Sequence, residues 1–135
     1  EKRILIETTG DRSSTPRAVM DAGELMSAQR LVRRLPVGES VVETILDLVR
    51  SARPGEGAAE ITRHIAWGPG PRAAQALMLA SRARALIDGR LSPSRDDVVA
   101  LAGSILRHRM AVNFSARAEG VTVESVIAQM CARLA

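Results

Sequence analysis

Aromatic side chains are almost missing from this sequence: Trp67 and Phe114 are its whole complement, and it has no tyrosine. A core must therefore be assembled from Leu, Ile, Val, Ala and Met, which suits helices at close range and argues against a β-sandwich. Cysteine is nearly as scarce. Cys131 stands alone, which rules out an internal disulfide or a cysteine-rich metal site and points to a reducing, cytoplasmic setting. Lys2 is the one lysine, so arginine supplies the rest of a formal net charge of +4 and a pI near 10.8. No apolar run reaches membrane-spanning length, and no secretory signal opens the chain. What remains is a 135-residue chain, 46% hydrophobic and 25% charged, the make-up of one soluble folded domain.

The usual signatures of catalysis are missing as well. The sequence has neither a GxxxxGK(S/T) phosphate loop nor a GxGxxG turn, so nothing in it cradles a triphosphate alone. No serine sits in a GxSxG elbow. His64 and His108 have no acids or cysteines at ligand spacing, and read as partly exposed surface histidines rather than metal ligands. Cys131 falls near an apolar helical stripe and reads as a small buried hydrophobe. Asp96 and Asp97 are adjacent on a helix, so their side chains diverge by about 100°, and stabilisation of a first helical turn accounts for them. This stretch is not expected to be an enzyme by itself, nor to bind a metal.

The apolar periodicity predicts an all-α fold, a bundle of about five helices. Glu1 is not an initiator methionine, and residues 1–9 read as the end of a helix already under way, as in a fragment with an upstream part. Residues 10–20 have the Gly/Ser/Thr/Pro composition of a linker, and 21–135 form the domain. Asp21 with Glu24 makes a capping box for a helix whose apolar face is Leu25, Ala28, Leu31, Val32 and Leu35, stopped by Pro36. Ser40, with Glu43, is expected to cap a second helix on Val41, Ile45, Leu48, Val49 and Ala52. A short, partly helical stretch covers 58–67. Gly68-Pro69-Gly70-Pro71 cannot be helical before Pro71, and an alanine-rich helix follows to Asp88, whose Ala73, Ala76, Leu77, Ala80, Ala83 and Ile87 imply close approach of a neighbouring helix, with Gly89 as its stop. A serine of Ser92-Pro93-Ser94 opens the fourth helix, and Thr122 opens the fifth.

One residue stands out against this background. Arg72 lies in the first turn of a helix, directly after a rigid Gly/Pro lead-in that fixes where the turn points. An arginine held in that way can lay a forked cation on a phosphate at little further ordering cost. Taken alone, an arginine at a helix start is more often a solvated surface charge. The helix dipole, however, disfavours a cation there, so its presence hints at a task.

The run Gly70-Pro71-Arg72-Ala73 ahead of the alanine-rich helix, then Ser92-Pro93 with Asp96-Asp97-Val98, then Leu106-Arg107-His108-Arg109, resembles the C-terminal half of MoxR-family AAA+ ATPases. The stretch 31–37 leading into 45–50 is similar to the start of that family's lid, and 2–9 to the helix leaving its ATPase core. The resemblance implies an AAA+ lid-type helical domain that packs on a core module holding ATP and Mg, in an intact protein that hydrolyses ATP. It implies that Arg72 is the sensor-two arginine, reading the terminal phosphate, with Gly68, Pro69, Gly70 and Pro71 positioning the loop. Gly70 stands where many members carry serine, which leaves the helix without a side-chain cap. Whether Arg72 serves its own subunit's ATP or a neighbour's stays open. The resemblance further implies a ring oligomer, hexameric, with chaperone-like action on partners such as von Willebrand factor A domain proteins. Arg33, Arg34, Arg107 and Arg109 are then candidate subunit contacts.

Two other classes compete with the lid. The high pI fits a basic helical nucleic-acid-binding module, yet the arginines are scattered over all helices and aromatics for base stacking are missing. A protein-interaction module without a nucleotide link is the third reading.

Overall fold

A computed structural model describes residues 1–10 and 17–134. Among them run α1 (Lys2–Thr8), α2 (Ala22–Arg34), α3 (Glu39–Ser51), α4 (Ala59–Thr62), β1 (Ile65–Trp67), α5 (Pro71–Ile87), α6 (Arg95–Leu106), β2 (Ala111–Val112), α7 (Phe114–Ala118) and α8 (Val123–Ala132). The all-α expectation holds. Five of these helices, α2, α3, α5, α6 and α8, have ten residues or more and match the five expected; α1, α4 and α7 are short additions. Most of the expected linker lies outside the described residues.

The core forms where α3, α5, α6 and α8 converge. Val41, Ile45, Leu48 and Val49 from α3 meet Ala73 and Leu77 from α5, Val98, Ala102 and Leu106 from α6, and Val126, Ile127 and Met130 from α8. All are small or aliphatic, as the shortage of aromatics requires. The most extensive helix pairing is α5 on α6, and the small residues of α5 permit that close approach. The buried stripe of α5 is Ala73, Leu77, Ser81 and Ala85, an i, i+4 row. Ile87, expected at that close approach, is instead 84% exposed, because the row turns away from it at the last turn. Gly89 stops α5 with φ +73, and the Arg90 amide bonds the Ala85 carbonyl at 2.7 Å across it.

Caps follow the sequence at three of four predicted starts. Asp21 and Glu24 close a capping box at α2, Ser94 and Asp97 at α6, and Thr122 and Ser125 at α8. Helix α3 differs. It begins two residues earlier than a Ser40 cap allows, with Gly38 in the cap position and no side-chain cap bond. Pro36 and the extended Gly38 start the turn there, which places Ser40 inside the helix, where its carbonyl accepts the Thr44 hydroxyl at 2.7 Å.

Two further corrections concern the predicted faces. Helix α2 forms, but none of its own residues is buried; Leu25 is 50% exposed, and only Leu35 just beyond the helix enters the interior. A two-stranded antiparallel ladder, Ile65 opposite Val112 and Trp67 opposite Ala111, appears where no strand was expected. Strands of two or three residues are too short to show a period-two pattern.

Candidate functional site

Helix α5 begins at a point held by its neighbours. Gly68 packs so closely on the end of α3 that an added Cβ would lie 2.1 Å from the Ala52 carbonyl oxygen. Pro69 is fully buried beside it, and its carbonyl accepts a hydrogen bond from Arg53 Nε at 3.2 Å. Gly70 is the cap residue in extended conformation, with open space around it and no side-chain cap, and Pro71 occupies the first helical position. The lead-in therefore fixes α5 through Gly68 and Pro69. Arg72 follows at once, exposed to solvent and in no ion pair with any described residue.

Opposite this lead-in lies the segment that leaves α6. The β1–β2 ladder ties it down, and Asn113 strengthens the tie: its amide bonds the His64 carbonyl at 2.9 Å and its Nδ2 bonds the Arg63 carbonyl at 2.7 Å. His108 and Arg109 are thereby brought against Trp67, Gly68 and residues 70–73. Together they line a groove of about 590 Å³. No carboxylate among the described residues lines it. Trp67, 53% exposed, is its one aromatic wall. The Arg72 amide has no backbone partner among the described residues, while the Ala73 amide bonds the Gly70 carbonyl at 2.9 Å; with that amide and two guanidinium groups the groove can receive an anion.

The remaining predicted arginines divide by position. Arg109 joins Arg72 in the groove. Arg107 points elsewhere, exposed, with Nε on the Gly103 carbonyl at 3.3 Å. Arg33 and Arg34 lie exposed at the end of α2. Arg33 lines a separate, largely apolar groove of about 550 Å³ between α2, α3 and α5, whose walls include Ile45, Leu46, Ala74 and Met78.

Three polar residues differ from what periodicity suggested. His64 is buried, not partly exposed, and its Nε2 meets Arg63 Nε at 3.0 Å. Cys131 is half-buried against the core, and burial pushes its thiol up, away from reactive thiolate character. Asp97 does more than favour a first turn. It is 3% exposed and takes both arms of the Arg90 guanidinium at 2.8 and 2.7 Å, with Arg84 Nε at 3.2 Å. Chiefly those Arg90 bonds, aided by the Ser94 amide and hydroxyl against the opposing effect of burial, hold its pKa at about 2. No spacing rule would have singled it out, because Arg90 reaches it around the α5–α6 turn.

Residues 57–130 match the family model described as the AAA lid domain, and this span holds the whole groove. The chain belongs to the AAA lid domain family. This lid is similar to Chaperone MoxR1 of Mycobacterium tuberculosis, with 27% identity over 129 residues, 94% of the chain and 34% of that protein. It is also similar to the uncharacterized protein YeaC of Bacillus subtilis, with 30% identity over 102 residues, 76% of the chain and 30% of that protein. A solved structure of a Cytophaga hutchinsonii protein, described as a candidate ATPase, superposes with a TM-score of 0.89. It covers 99% of the lid and 41% of that chain; at 21% identity the likeness is one of fold. The chain spans about a third of the length of the curated relatives it matches. It is a lid of the MoxR-like AAA+ kind.

Proposed function

We propose that this lid senses nucleotide in a MoxR-type AAA+ ATPase, with Arg72 as the sensor-two arginine that contacts the terminal phosphate of ATP held by the core module. The observation that carries the reading is the placement of Arg72: an ion-pair-free guanidinium in the first turn of α5, aimed by the Gly68–Pro69 interlock and set in a groove whose described walls hold no carboxylate. The groove suits phosphate and offers no ligand for Mg, which has to be held by the core module. A cation there stabilises the negative charge that builds on phosphoryl oxygens during hydrolysis. Because α5 is welded to α3 and α6, any pull on Arg72 moves the lid as a body, which links the phosphate to lid position.

On the same reading, α1 is the trailing helix of the core module and residues 10–20 are the linker to the lid. The intact protein works in the cytoplasm as a ring, hexameric, that remodels partner proteins, including ones with a von Willebrand factor A domain. Similarity to Chaperone MoxR1 supports the chaperone part. Arg33, Arg34 and Arg107, outside the groove, are its candidate subunit contacts. The test is Arg72→Ala in the intact ATPase: turnover is expected to fall by about tenfold to a thousandfold while the unfolding midpoint hardly moves. Unchanged turnover would falsify the role of Arg72.

A further inference from the structure

We infer that Arg109 is a second phosphate-binding cation beside Arg72, so that the lid grips the terminal phosphate of ATP with two guanidinium groups rather than one; this rests on the reading of Arg72 above. The two arginines come from opposite walls. Arg72 arrives on the first turn of α5, and Arg109 on the turn between α6 and β2, yet both line the same groove. The pairing of Trp67 with Ala111 and the Asn113 bonds to residues 63 and 64 set the register that holds the walls together.

The Arg109 side chain is oriented before any ligand arrives. Its Nη1 donates to the Ile105 carbonyl at 2.7 Å and also meets the ring nitrogen of His108. A guanidinium has no lone pair to offer, so that ring nitrogen accepts. Nε and Nη2 form no hydrogen bond with any described residue, which leaves the forked pair of donors that suits two phosphate oxygens. Elsewhere in the lid, Arg84, Arg90 and Arg133 each find a carboxylate. Arg72 and Arg109 find none among the described residues, and unlike the other arginines without one they share a groove whose described walls supply none. Two like charges placed together repel one another until an anion between them turns the sum attractive. Arg117, on α7, is exposed outside the groove and serves as a control.

The test measures ATP and ADP binding to the intact ATPase by calorimetry, alongside turnover, for Arg109→Ala, Arg109→Lys, Arg72→Ala and Arg117→Ala. Arg109→Ala is expected to weaken ATP binding by about tenfold and ADP binding by less than about twofold. Arg109→Lys should recover part of the loss because it keeps the charge without the fork, and Arg117→Ala should match the parent. Should Arg109→Ala fold less well, the lysine variant carries the measurement: ATP affinity lowered with ADP affinity kept supports the two-cation grip. ATP affinity unchanged in both Arg109 variants overturns it. If Arg72→Ala still lowers turnover in that case, the sensor reading survives alone; if Arg72→Ala is silent too, both fail.

Discussion

The two ends of the α5–α6 hairpin use arginine in opposite ways. At the closed end, Arg84 and Arg90 converge on buried Asp97, with Asp88 2.9 Å from Arg90. At the open end, Arg72 and Arg109 share a groove whose described walls hold no carboxylate. The first arrangement satisfies every charge within the fold, and so fastens two helices together. The second leaves charge without a carboxylate among the described residues and open to solvent. Neither charge nor the lack of a carboxylate partner, which Arg107 shares, sets Arg72 and Arg109 apart; what does is that the two line one groove.

The strongest way to break this contrast is mechanical. Gly68→Ala would drive a Cβ into the Ala52 backbone, which cannot yield as a flexible side chain would. A loss of about 3 kcal/mol in urea unfolding is expected. Turnover of the intact ATPase should also fall, although Arg72 is untouched. Gly70→Ala, two residues on and in open space, should be nearly neutral on both counts, and equal effects from the two substitutions would contradict the interlock.

At the closed end, Asp97→Asn should cost about 2 kcal/mol, by weakening charge-assisted bonds that water barely reaches. The same substitution should leave nucleotide affinity of the folded protein intact, since Asp97 lies at the far end of the hairpin. Acid gives a finer version of the experiment. The Asp97 pKa is lowered from 3.8 to about 2, so its contribution is complete above about pH 4 and disappears as pH falls through 2. Stability measured across that range should decline in the parent and decline less in Asp97→Asn; parallel curves would assign the acid loss to other groups.

The smallest effect is expected at the open end. Gly70 caps α5 without a side-chain bond, and nothing occupies the space a side chain would fill. Gly70→Ser should raise the unfolding free energy by a few tenths of a kcal/mol by accepting an orphan amide, readable as a higher urea midpoint. If that amide serves the bound phosphate, the same substitution should weaken ATP binding. A change in stability alone would show that the amide is free of the ligand.

Much of this was legible from residue order. The helices α5, α6 and α8 follow from Pro71, a serine of Ser92-Pro93-Ser94 and Thr122 at their starts, and the inner face of α3 follows from its apolar spacing, because caps and periodicity act within a few residues of chain. Arg72 was legible for the same reason: a proline beside it and a Gly/Pro run before it are local features. The Asp97–Arg90 clamp, the exposure of α2 and of Ile87, and the burial of His64 were not legible, since each depends on which neighbour arrives from elsewhere in the chain.

The sequence by itself determined the helical class of this lid, most of its helix starts and the position of Arg72 at the head of α5. Only the tertiary structure decided which of the other arginines stands with it. Arg107 and Arg109 are indistinguishable as neighbours in a basic run, but the turn after α6 sends them different ways, and the short β ladder then holds Arg109 against the α5 lead-in. The physical reason is that a groove is made by two segments about forty residues apart, and no local spacing encodes the distance between them.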